Sequence, residues 1–97
     1  MNSGKATHDL LEIQRSLRHG QYRITLNAAR TAQDLDFAEA DVVDFVLALR
    51  DSNFEKTMPG EKFPDRWQDV YRPEYGGKRL YVKLELNDIA WIISFHK

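Results

Sequence analysis

The chain contains no cysteine among its 97 residues, which excludes disulfides, thiolate metal sites and a cysteine nucleophile. Long apolar runs are also missing. The residues before Leu10 lack the apolar stretch of a secretory signal, and no later segment approaches the length of a membrane span. We therefore expect a soluble, cytoplasmic protein with no membrane partner, organised as a single domain over residues 1–97.

Groups of metal-binding side chains are sparse as well. The three histidines, His8, His19 and His96, have no metal-ligand spacing among them. The acidic residues form no compact arrangement of the kind that two-metal enzymes use. We predict that the protein binds no metal and needs no cofactor.

Charge is unevenly distributed along the chain, although its net value is only −1. Residues 1–32 carry a net charge of +3, residues 33–55 carry −6, and residues 56–97 carry +2. Because the acidic residues are concentrated in one segment, the basic residues are left to form a separate surface. Such a surface can face a polyanion in spite of the low net charge.

Helical spacing dominates the N-terminal half. It predicts a first helix capped by Thr7 and ended by Gly20, then a short strand over Gln21–Ile24. A weaker helix follows a Thr25 cap, and a stronger one follows the capping-box spacing of Asp36–Glu39. The apolar stripes of these helices are Leu10, Ile13 and Leu17; Leu26, Ala29, Ala32 and Leu35; and Val42, Phe45, Val46 and Leu49.

The C-terminal half changes to a period of two. Prolines and a glycine predict a loop over Thr57–Arg66. Three strands are then predicted, with turns at Gly76-Gly77 and Asn87-Asp88 between successive strands: Trp67–Tyr71, Arg79–Leu86 and Ile89–His96. Helices before strands indicate an α+β fold, with N-terminal helices packed on one face of a mainly antiparallel sheet.

Alternation along the middle strand assigns its two faces. Apolar residues should face the helices, namely Leu80, Val82, Leu84 and Leu86, and polar residues the open side, namely Arg79, Tyr81, Lys83 and Glu85. The same reasoning places Trp67, Trp91 and Phe95 in the core. It also sends Asp69 toward the core, where that carboxylate would need a partner, a strand edge or a bulge.

A tight turn at Asn87-Asp88 would fix the pairing of the last two strands. Leu86 would then lie opposite Ile89, Tyr81 opposite Ser94, and Arg79 opposite His96. The polar patch that results consists of Gln68, Arg72, Arg79, Tyr81, Lys83, Ser94 and His96. Lys56 precedes it in the chain. Basic, amide and phenol groups together can hold a phosphodiester and move protons around it.

With these residues in view, the chain resembles the MqsR toxins (motility quorum-sensing regulator). The likeness runs from His8 to the end of the chain, and its most specific part is the run Trp67–Pro73, WQDVYRP. Tyr81–Lys83 and Ile93–Phe95 add to it, with smaller matches at Gly20-Gln21, Asp34-Leu35, Phe54 and Lys56. The resemblance implies a RelE-like fold.

The resemblance also implies an activity, which is ribosome-independent cleavage of single-stranded mRNA at GC-containing triplets. It implies a cognate antitoxin that binds zinc and carries a helix-turn-helix domain, with operator DNA bound only through the toxin–antitoxin complex. The family's activity-linked residues match at Lys56, Gln68 and Tyr81, with Arg72 as a companion. Family members can carry lysine where this chain has His96, a departure that weakens the transfer of a role to this position.

A metal-independent mechanism would use the RNA's own 2′-hydroxyl as nucleophile. We hypothesise that Lys56 and Arg72 hold the phosphate and that Gln68 positions it or reads a base edge. Tyr81 and His96 are the candidates for proton transfer, and which is base and which is acid stays open. As a base, Tyr81 would need neighbouring cations to lower its pKa.

Two RNA contacts and two rival functions complete the interpretation. Arg79 and Lys83 are expected to steer RNA through its phosphates rather than to take part in chemistry. The same basic face would also suit a non-catalytic nucleic-acid-binding module. A protein that only docks a partner through its polar face is the remaining alternative. The sequence leaves open the cleavage triplet, the oligomeric state and whether the antitoxin covers the active face.

Overall fold

The computed structural model describes residues 4–97, so the first three residues of the predicted domain lie outside the described part. Helices come first and strands follow. The helices are α1 (Leu10–Arg18), α2 (Leu26–Asp34) and α3 (Glu39–Leu47), with a 3₁₀ turn at Asp51–Asn53. The strands are β1 (Tyr22–Ile24), β2 (Phe54–Pro59), β3 (Trp67–Tyr71), β4 (Glu74–Tyr75), β5 (Lys78–Arg79), β6 (Tyr81–Asn87) and β7 (Ile89–His96).

Five strands form the main sheet in the order β1-β7-β6-β3-β2, and β4 with β5 forms a separate ribbon. All pairs in the main sheet are antiparallel except β1 with β7, which are parallel. The predicted α+β arrangement, with N-terminal helices packed on a mainly antiparallel sheet, is confirmed. No helix within residues 4–97 is long and apolar enough to cross a membrane.

The first helix begins later than the sequence predicts. Asp9, not Thr7, is the N-cap, and its side chain accepts a hydrogen bond of 3.0 Å from the Leu11 amide. The amide of Thr7 instead donates to the Asp69 carboxylate at 2.9 Å. Gly20 follows the helix with a φ of 72°, a left-handed conformation that favours glycine, so the predicted stop is confirmed.

The second helix has the predicted cap but a rotated apolar face. The Thr25 hydroxyl accepts a hydrogen bond from the Ala28 amide at 3.1 Å, which confirms the cap. Ala28 and Ala32 are the buried positions, whereas Leu26 and Ala29 are exposed. The prediction was wrong there because a 3.6-residue repeat fits either alanine, and packing against β7 selects Ala28.

The third helix begins at Glu39, and its N-cap lies two residues after the predicted Asp36 cap. Its N-cap is Ala38, whose amide donates to the Asp41 carboxylate at 2.8 Å. Asp36 stands in the preceding loop with a φ of 66°. Aspartate tolerates this conformation better than most residues, which explains why it occupies the turn rather than the cap.

Two strand predictions need correction. The predicted loop begins too early, because Thr57 to Pro59 belong to β2, an edge strand paired with β3. Pro59 is tolerated there because an edge strand has one side without a partner strand. The predicted strand Arg79–Leu86 is in fact divided: Arg79 pairs with Glu74 in the ribbon, and β6 begins at Tyr81. The Gly76-Gly77 turn thus closes the ribbon and does not join β3 to β6.

The register of β6 and β7 differs from the predicted one in two places. Asn87 pairs with Ile89 around Asp88 alone, at a φ of 66°, so the turn is one residue tighter than predicted. This reverses the faces along the first half of β7. A bulge between the Leu84–Ile92 and Lys83–Ser94 pairs reverses them again. Consequently Tyr81 lies opposite His96. The predicted pairs Tyr81–Ser94 and Arg79–His96 are therefore wrong.

The helices cover one face of the sheet. Its buried apolar positions include Leu80, Val82 and Leu84 with Ala90, Ile92 and Phe95, and they pack against Leu10, Ile13, Leu17, Ala28, Ala32, Val42 and Val46. Each large side chain buried this way contributes about 1.5–3 kcal/mol. Asp69 points to the same side, where the Thr7 and His8 amides satisfy its carboxylate at 2.9 and 2.8 Å. Within residues 4–97, the buried apolar cluster and the helices that pack on it lie on this side of the sheet, and we call the opposite side the open face.

Candidate active site on the open face of the sheet

Directly paired residues of neighbouring strands point to the same side of a sheet, and this defines the open face. Val70 pairs with Lys56 on β2 and with Lys83 on β6, and Lys83 pairs with Ser94 on β7. Counting in steps of two from these positions extends the open face, which includes Lys56, Met58, Gln68, Val70, Arg72, Tyr81, Lys83, Glu85, Trp91, Ser94 and His96.

The structure thus brings most of the predicted site residues onto one face. These are Lys56, Gln68, Arg72, Tyr81, Lys83 and His96. Arg79 is not among them. It is exposed on the β4–β5 ribbon, because the chain leaves the main sheet before Leu80, whose amide donates to the Pro73 carbonyl at 2.8 Å. The predicted position of Arg79 beside His96 is therefore wrong.

Tyr81 lies half-buried on the open face. Its ring stacks on the His96 imidazole, with 4.9 Å between centroids and 14° between planes. The guanidinium carbon of Arg72 lies 5.5 Å from the centre of the same ring. The hydroxyl points across the sheet to the sulfur of Met58, 3.6 Å away. A phenol, an imidazole and a guanidinium therefore share one small region.

A backbone carbonyl and a carboxylate hold the Arg72 side chain in this region. Its Nε donates to the Leu80 carbonyl at 2.8 Å, and one terminal nitrogen lies 3.5 Å from the Glu55 carboxylate. Glu55 is the residue at the register shift in β2. The Nε bond fixes the guanidinium plane. The long contact to the exposed Glu55 is weak, so an anion can compete for the terminal nitrogens.

The pKa of Tyr81 decides whether its phenol can act as a base. Burial raises the pKa of its phenol above the ordinary value, and the Glu55 carboxylate raises it further. Arg72 lowers that pKa, but less than burial raises it. The lowered pKa that Tyr81 would need to act as a base is therefore not found, because desolvation of the phenol outweighs the effect of Arg72. Tyr81 thus stays protonated near neutral pH.

A network that the sequence did not reveal lies next to these groups. The Glu85 carboxylate is almost fully buried, and accepts from Arg66 Nε at 2.6 Å and from Gln68 Nε2 at 3.1 Å. Alternation had put Glu85 on the polar side but gave it no partner. Arg66 comes from the loop after β2, whose conformation no sequence pattern specified. The buried carboxylate is stabilised by these two donors and fixes the direction of the Gln68 amide.

Gly60 helps to hold that amide. Its own amide donates to the Arg66 carbonyl at 2.8 Å, which closes the loop between β2 and β3. A Cβ on Gly60 would lie 3.1 Å from Gln68 Nε2, 3.1 Å from the Phe63 carbonyl and 3.2 Å from the Arg66 carbonyl. A side chain at residue 60 would therefore push Gln68 or the loop aside by a few tenths of an ångström.

A cavity of about 740 Å³ opens between this loop and the sheet. Residues of the predicted polar patch in its lining are Gln68, Tyr81, Lys83, Ser94 and His96. Trp91 also lines it, which corrects its assignment to the core; the tight turn at Asp88 put it on the open face. Trp67 is likewise not a core residue, since 44% of it is exposed. Phe95 is in the core as predicted.

Acidic and histidine side chains do not gather into a metal site in the described part of the chain. Among residues 4–97, no group of three or more of them is placed to hold a metal ion. The three ion pairs of this part each join an arginine to a glutamate: Arg15–Glu12, Arg66–Glu85 and Arg72–Glu55. The potential donors of the open face are thus cations, an amide, a phenol and an imidazole.

The protein is therefore an α+β protein whose open sheet face carries cations and groups that can transfer protons. Such a site suits a phosphodiester substrate. Comparison with known proteins gives the family. The sequence profile described as "Motility quorum-sensing regulator, toxin of MqsA" matches residues 5–97, and the chain belongs to this toxin family. It is similar to the mRNA interferase toxin MqsR of Escherichia coli (strain K12), with 29% identity over 86 residues, 89% of this chain and 88% of the relative.

Proposed function

We propose that the open face of the sheet cleaves single-stranded mRNA without a metal ion, and that this is how the chain acts as a toxin. Family membership supplies the class of activity: the chain is an endoribonuclease, an mRNA interferase. The observation that carries the mechanism is the convergence on Tyr81. His96 stacks on its ring at 4.9 Å, and Arg72 lies 5.5 Å from it.

The reaction we propose is an internal transfer. The RNA 2′-oxygen attacks the adjacent phosphorus, the bond from phosphorus to the 5′-oxygen breaks, and the products end in a 2′,3′-cyclic phosphate and a 5′-hydroxyl. One group must take the 2′ proton and another must protonate the 5′-oxygen. Developing negative charge on the phosphoryl oxygens needs positive partners.

Tyr81 suits the acid and His96 the base. A phenol is protonated at neutral pH, and burial raises the pKa of Tyr81 further above its ordinary value. His96 Nδ1 lies 2.7 Å from the Lys97 carbonyl. Since a carbonyl oxygen can only accept, Nδ1 carries the hydrogen, and in the neutral ring Nε2 keeps a lone pair that can take a proton. This supports a division of roles that the sequence had left open.

The cations supply binding and charge stabilisation. We assign the phosphate to Arg72, which can donate from its terminal nitrogens, and to Lys56 on the neighbouring strand. Gln68, held by Glu85 at 3.1 Å, positions the phosphate or a base. Lys83, a buried lysine in the cavity lining, steers RNA through its phosphates. Arg79 has no place in this arrangement unless the substrate also reaches the ribbon.

The finer identity of substrate and partner rests on the family resemblance. We propose cleavage at GC-containing triplets, without the ribosome, and neutralisation by a cognate antitoxin. The family description names the members as toxins of MqsA, which supports the partner. We further propose that the antitoxin binds zinc, carries a helix-turn-helix, and alone brings the toxin to operator DNA.

The test is an end-group analysis of cleaved RNA in the presence of EDTA. A defined GC-containing transcript is incubated with the protein, and its new 3′ ends are examined for a 2′,3′-cyclic phosphate. Cyclic ends that form at the same rate with EDTA support the mechanism. A requirement for added divalent metal would overturn it. Salt-sensitive binding with intact RNA would favour the alternative, a non-catalytic nucleic-acid-binding module.

A further inference from the structure

Besides Tyr81 and His96, the aromatic side chains of Trp91 and Phe63 face the cavity rather than the core. Trp91 is partly buried and is paired with Glu85 on the neighbouring strand. Phe63 lines the cavity from the loop between β2 and β3, with 56% of its surface exposed. The helical core on the other side of the sheet takes neither ring. Apolar surface of this size, open to solvent inside a cavity, is suited to stacking a planar ligand.

Arg66 presents a fixed hydrogen-bonding edge in the same cavity. Its Nε is bound to the buried Glu85 carboxylate at 2.6 Å, and its guanidinium carbon lies 5.0 Å from the centre of the Phe63 ring. Within residues 4–97, only Nε of this guanidinium takes part in a hydrogen bond or ion pair. The two terminal nitrogens are therefore left to donate, and the Glu85 contact restricts their orientation.

We propose that this cavity binds one guanine base of the RNA, with Trp91 as the stacking surface and the Arg66 terminal nitrogens donating to O6 and N7. Guanine presents two adjacent acceptors on that edge, which match the two parallel donors of arginine. Adenine offers a donor in place of O6, and the pyrimidines lack N7. The proposal rests on the proposed cleavage at GC-containing triplets and adds the residues that read the guanine, Arg66 and Trp91.

The location of the cavity supports this assignment. Tyr81 and His96 form part of its lining, so a base inside it would be adjacent to the phosphate held at Tyr81. Gln68 and Arg66 share the Glu85 carboxylate, which ties the base-reading edge to the residue that we place at the phosphate. A correctly seated guanine would therefore align the scissile bond with the groups that move protons.

The kinetic test removes one acceptor from the base. A short RNA with a single guanine is compared with the same RNA containing 7-deazaguanine, which lacks N7. For the unmodified protein we expect kcat/KM to fall about 5- to 150-fold with the analogue. Arg66→Lys, which keeps a positive charge near Glu85, should be slower overall and lose most of this difference. The matched control is Arg15→Lys, exposed on α1 on the helical side, which should discriminate as the unmodified protein does. Equal discrimination by Arg66→Lys would overturn the assignment.

A binding experiment separates this inference from the catalytic one. The chain has two tryptophans, so Trp67→Phe leaves Trp91 as the only one. A 2′-O-methyl oligonucleotide cannot be cut because its nucleophile is blocked. The guanine-containing form should quench Trp91 fluorescence more strongly than the 7-deazaguanine form, and added Arg66→Lys should remove the difference. If guanine-dependent quenching is seen but the protein cuts no RNA, the proposed endoribonuclease function is wrong and the guanine site stands. If the cleavage rate is unaffected both by the loss of N7 and by Trp91→Leu, the guanine site is wrong and the proposed endoribonuclease function stands.

Discussion

Tyr81 and His96 lie directly opposite each other on β6 and β7, and their rings are nearly parallel at a centroid distance of 4.9 Å. The bulge in β7 produces this pairing. Without the bulge, the register of the Leu84–Ile92 pair would continue to the end of the strands, and Phe95 would lie opposite Tyr81. The additional residue in β7 moves Phe95 into the core and brings His96 onto the open face.

The Tyr81–His96 pair predicts a specific loss of activity in Tyr81→Phe. Phenylalanine keeps the ring that stacks on His96 but has no proton to give, so we expect the cleavage rate to fall about 100- to 10,000-fold. Single-turnover cleavage of a short GC-containing RNA measures it. Stability should change little, because the hydroxyl makes only a long contact to the Met58 sulfur at 3.6 Å.

Tyr22→Phe is the control for this change. Tyr22 is on β1, the opposite edge of the sheet from β2, and its hydroxyl donates to Glu39 at 2.5 Å. Its loss should leave cleavage unchanged. His96→Ala completes the test, since both proton-transfer candidates are then covered. If Tyr81→Phe and His96→Ala both cut at the unmodified rate, the acid–base assignment is wrong.

Gly60 predicts an effect of packing on the site. In Gly60→Ala the new methyl group would meet Gln68 Nε2 and two loop carbonyls at 3.1–3.2 Å, so the amide or the loop must move. We expect a loss of about 1–3 kcal/mol in the free energy of unfolding, and slower cleavage because Gln68 leaves its position. Gly4→Ala is a matched control, since a Cβ there meets nothing within 4 Å. Urea denaturation and RNA cleavage, measured on both variants, decide it; equal values for the two would contradict the steric account.

We expect substitutions of Lys56 and Arg79 to differ in their effect on RNA affinity. Lys56 is exposed on the open face, whereas Arg79 is on the ribbon. Lys56→Ala should weaken binding of a 2′-O-methyl oligonucleotide and reduce the slope of log K against log salt by about 0.7. Arg79→Ala should leave both unchanged. Titrations at several salt concentrations measure the slopes. A larger effect of Arg79 would mean that the RNA extends over the ribbon.

These positions show where sequence periodicity carried the prediction and where it did not. Alternation put Gln68, Tyr81 and Lys83 on one side of the sheet, because a strand places every second residue on the same face. It failed for Trp91, because a turn shortened by one residue reverses every side chain that follows. The bulge then restored the predicted side for Ser94 and His96. Two compensating irregularities cannot be read from an alternating pattern.

The unpredicted half of the site depends on contacts between distant parts of the chain. Glu85 is stable in a buried position because Arg66 reaches it from a loop 19 residues away in sequence. Asp69 is likewise satisfied by the amides of Thr7 and His8, 62 and 61 residues distant. Local spacing contains no information about such partners. The Trp67–Pro73 motif identified the family, but it could not show that a buried carboxylate holds Gln68.

Tyr71 predicts how the fold responds to alkaline pH. Burial, followed by the carboxylates of Asp69, Asp51 and Asp9, strongly raises the pKa of its phenol above the ordinary value of 10.0. A group whose pKa is higher in the folded state contributes stability that is fully present below the unfolded pKa. That stability is lost as the pH rises from there through the folded pKa. The free energy of unfolding should therefore decline above about pH 10, by up to about 1.4 kcal/mol per pH unit for this proton.

Tyr71→Phe isolates that contribution. Phenylalanine keeps the edge-to-face contact with the Phe54 ring, 5.7 Å between centroids, and has no proton to release. Urea denaturation from about pH 8 to about pH 11 should give a shallower decline for Tyr71→Phe than for the unmodified protein. Tyr75→Phe, at an exposed tyrosine of the ribbon, controls for the loss of a phenol as such. An unchanged slope in Tyr71→Phe would mean that the alkaline loss of stability arises elsewhere, because no other property of residue 71 titrates in that range.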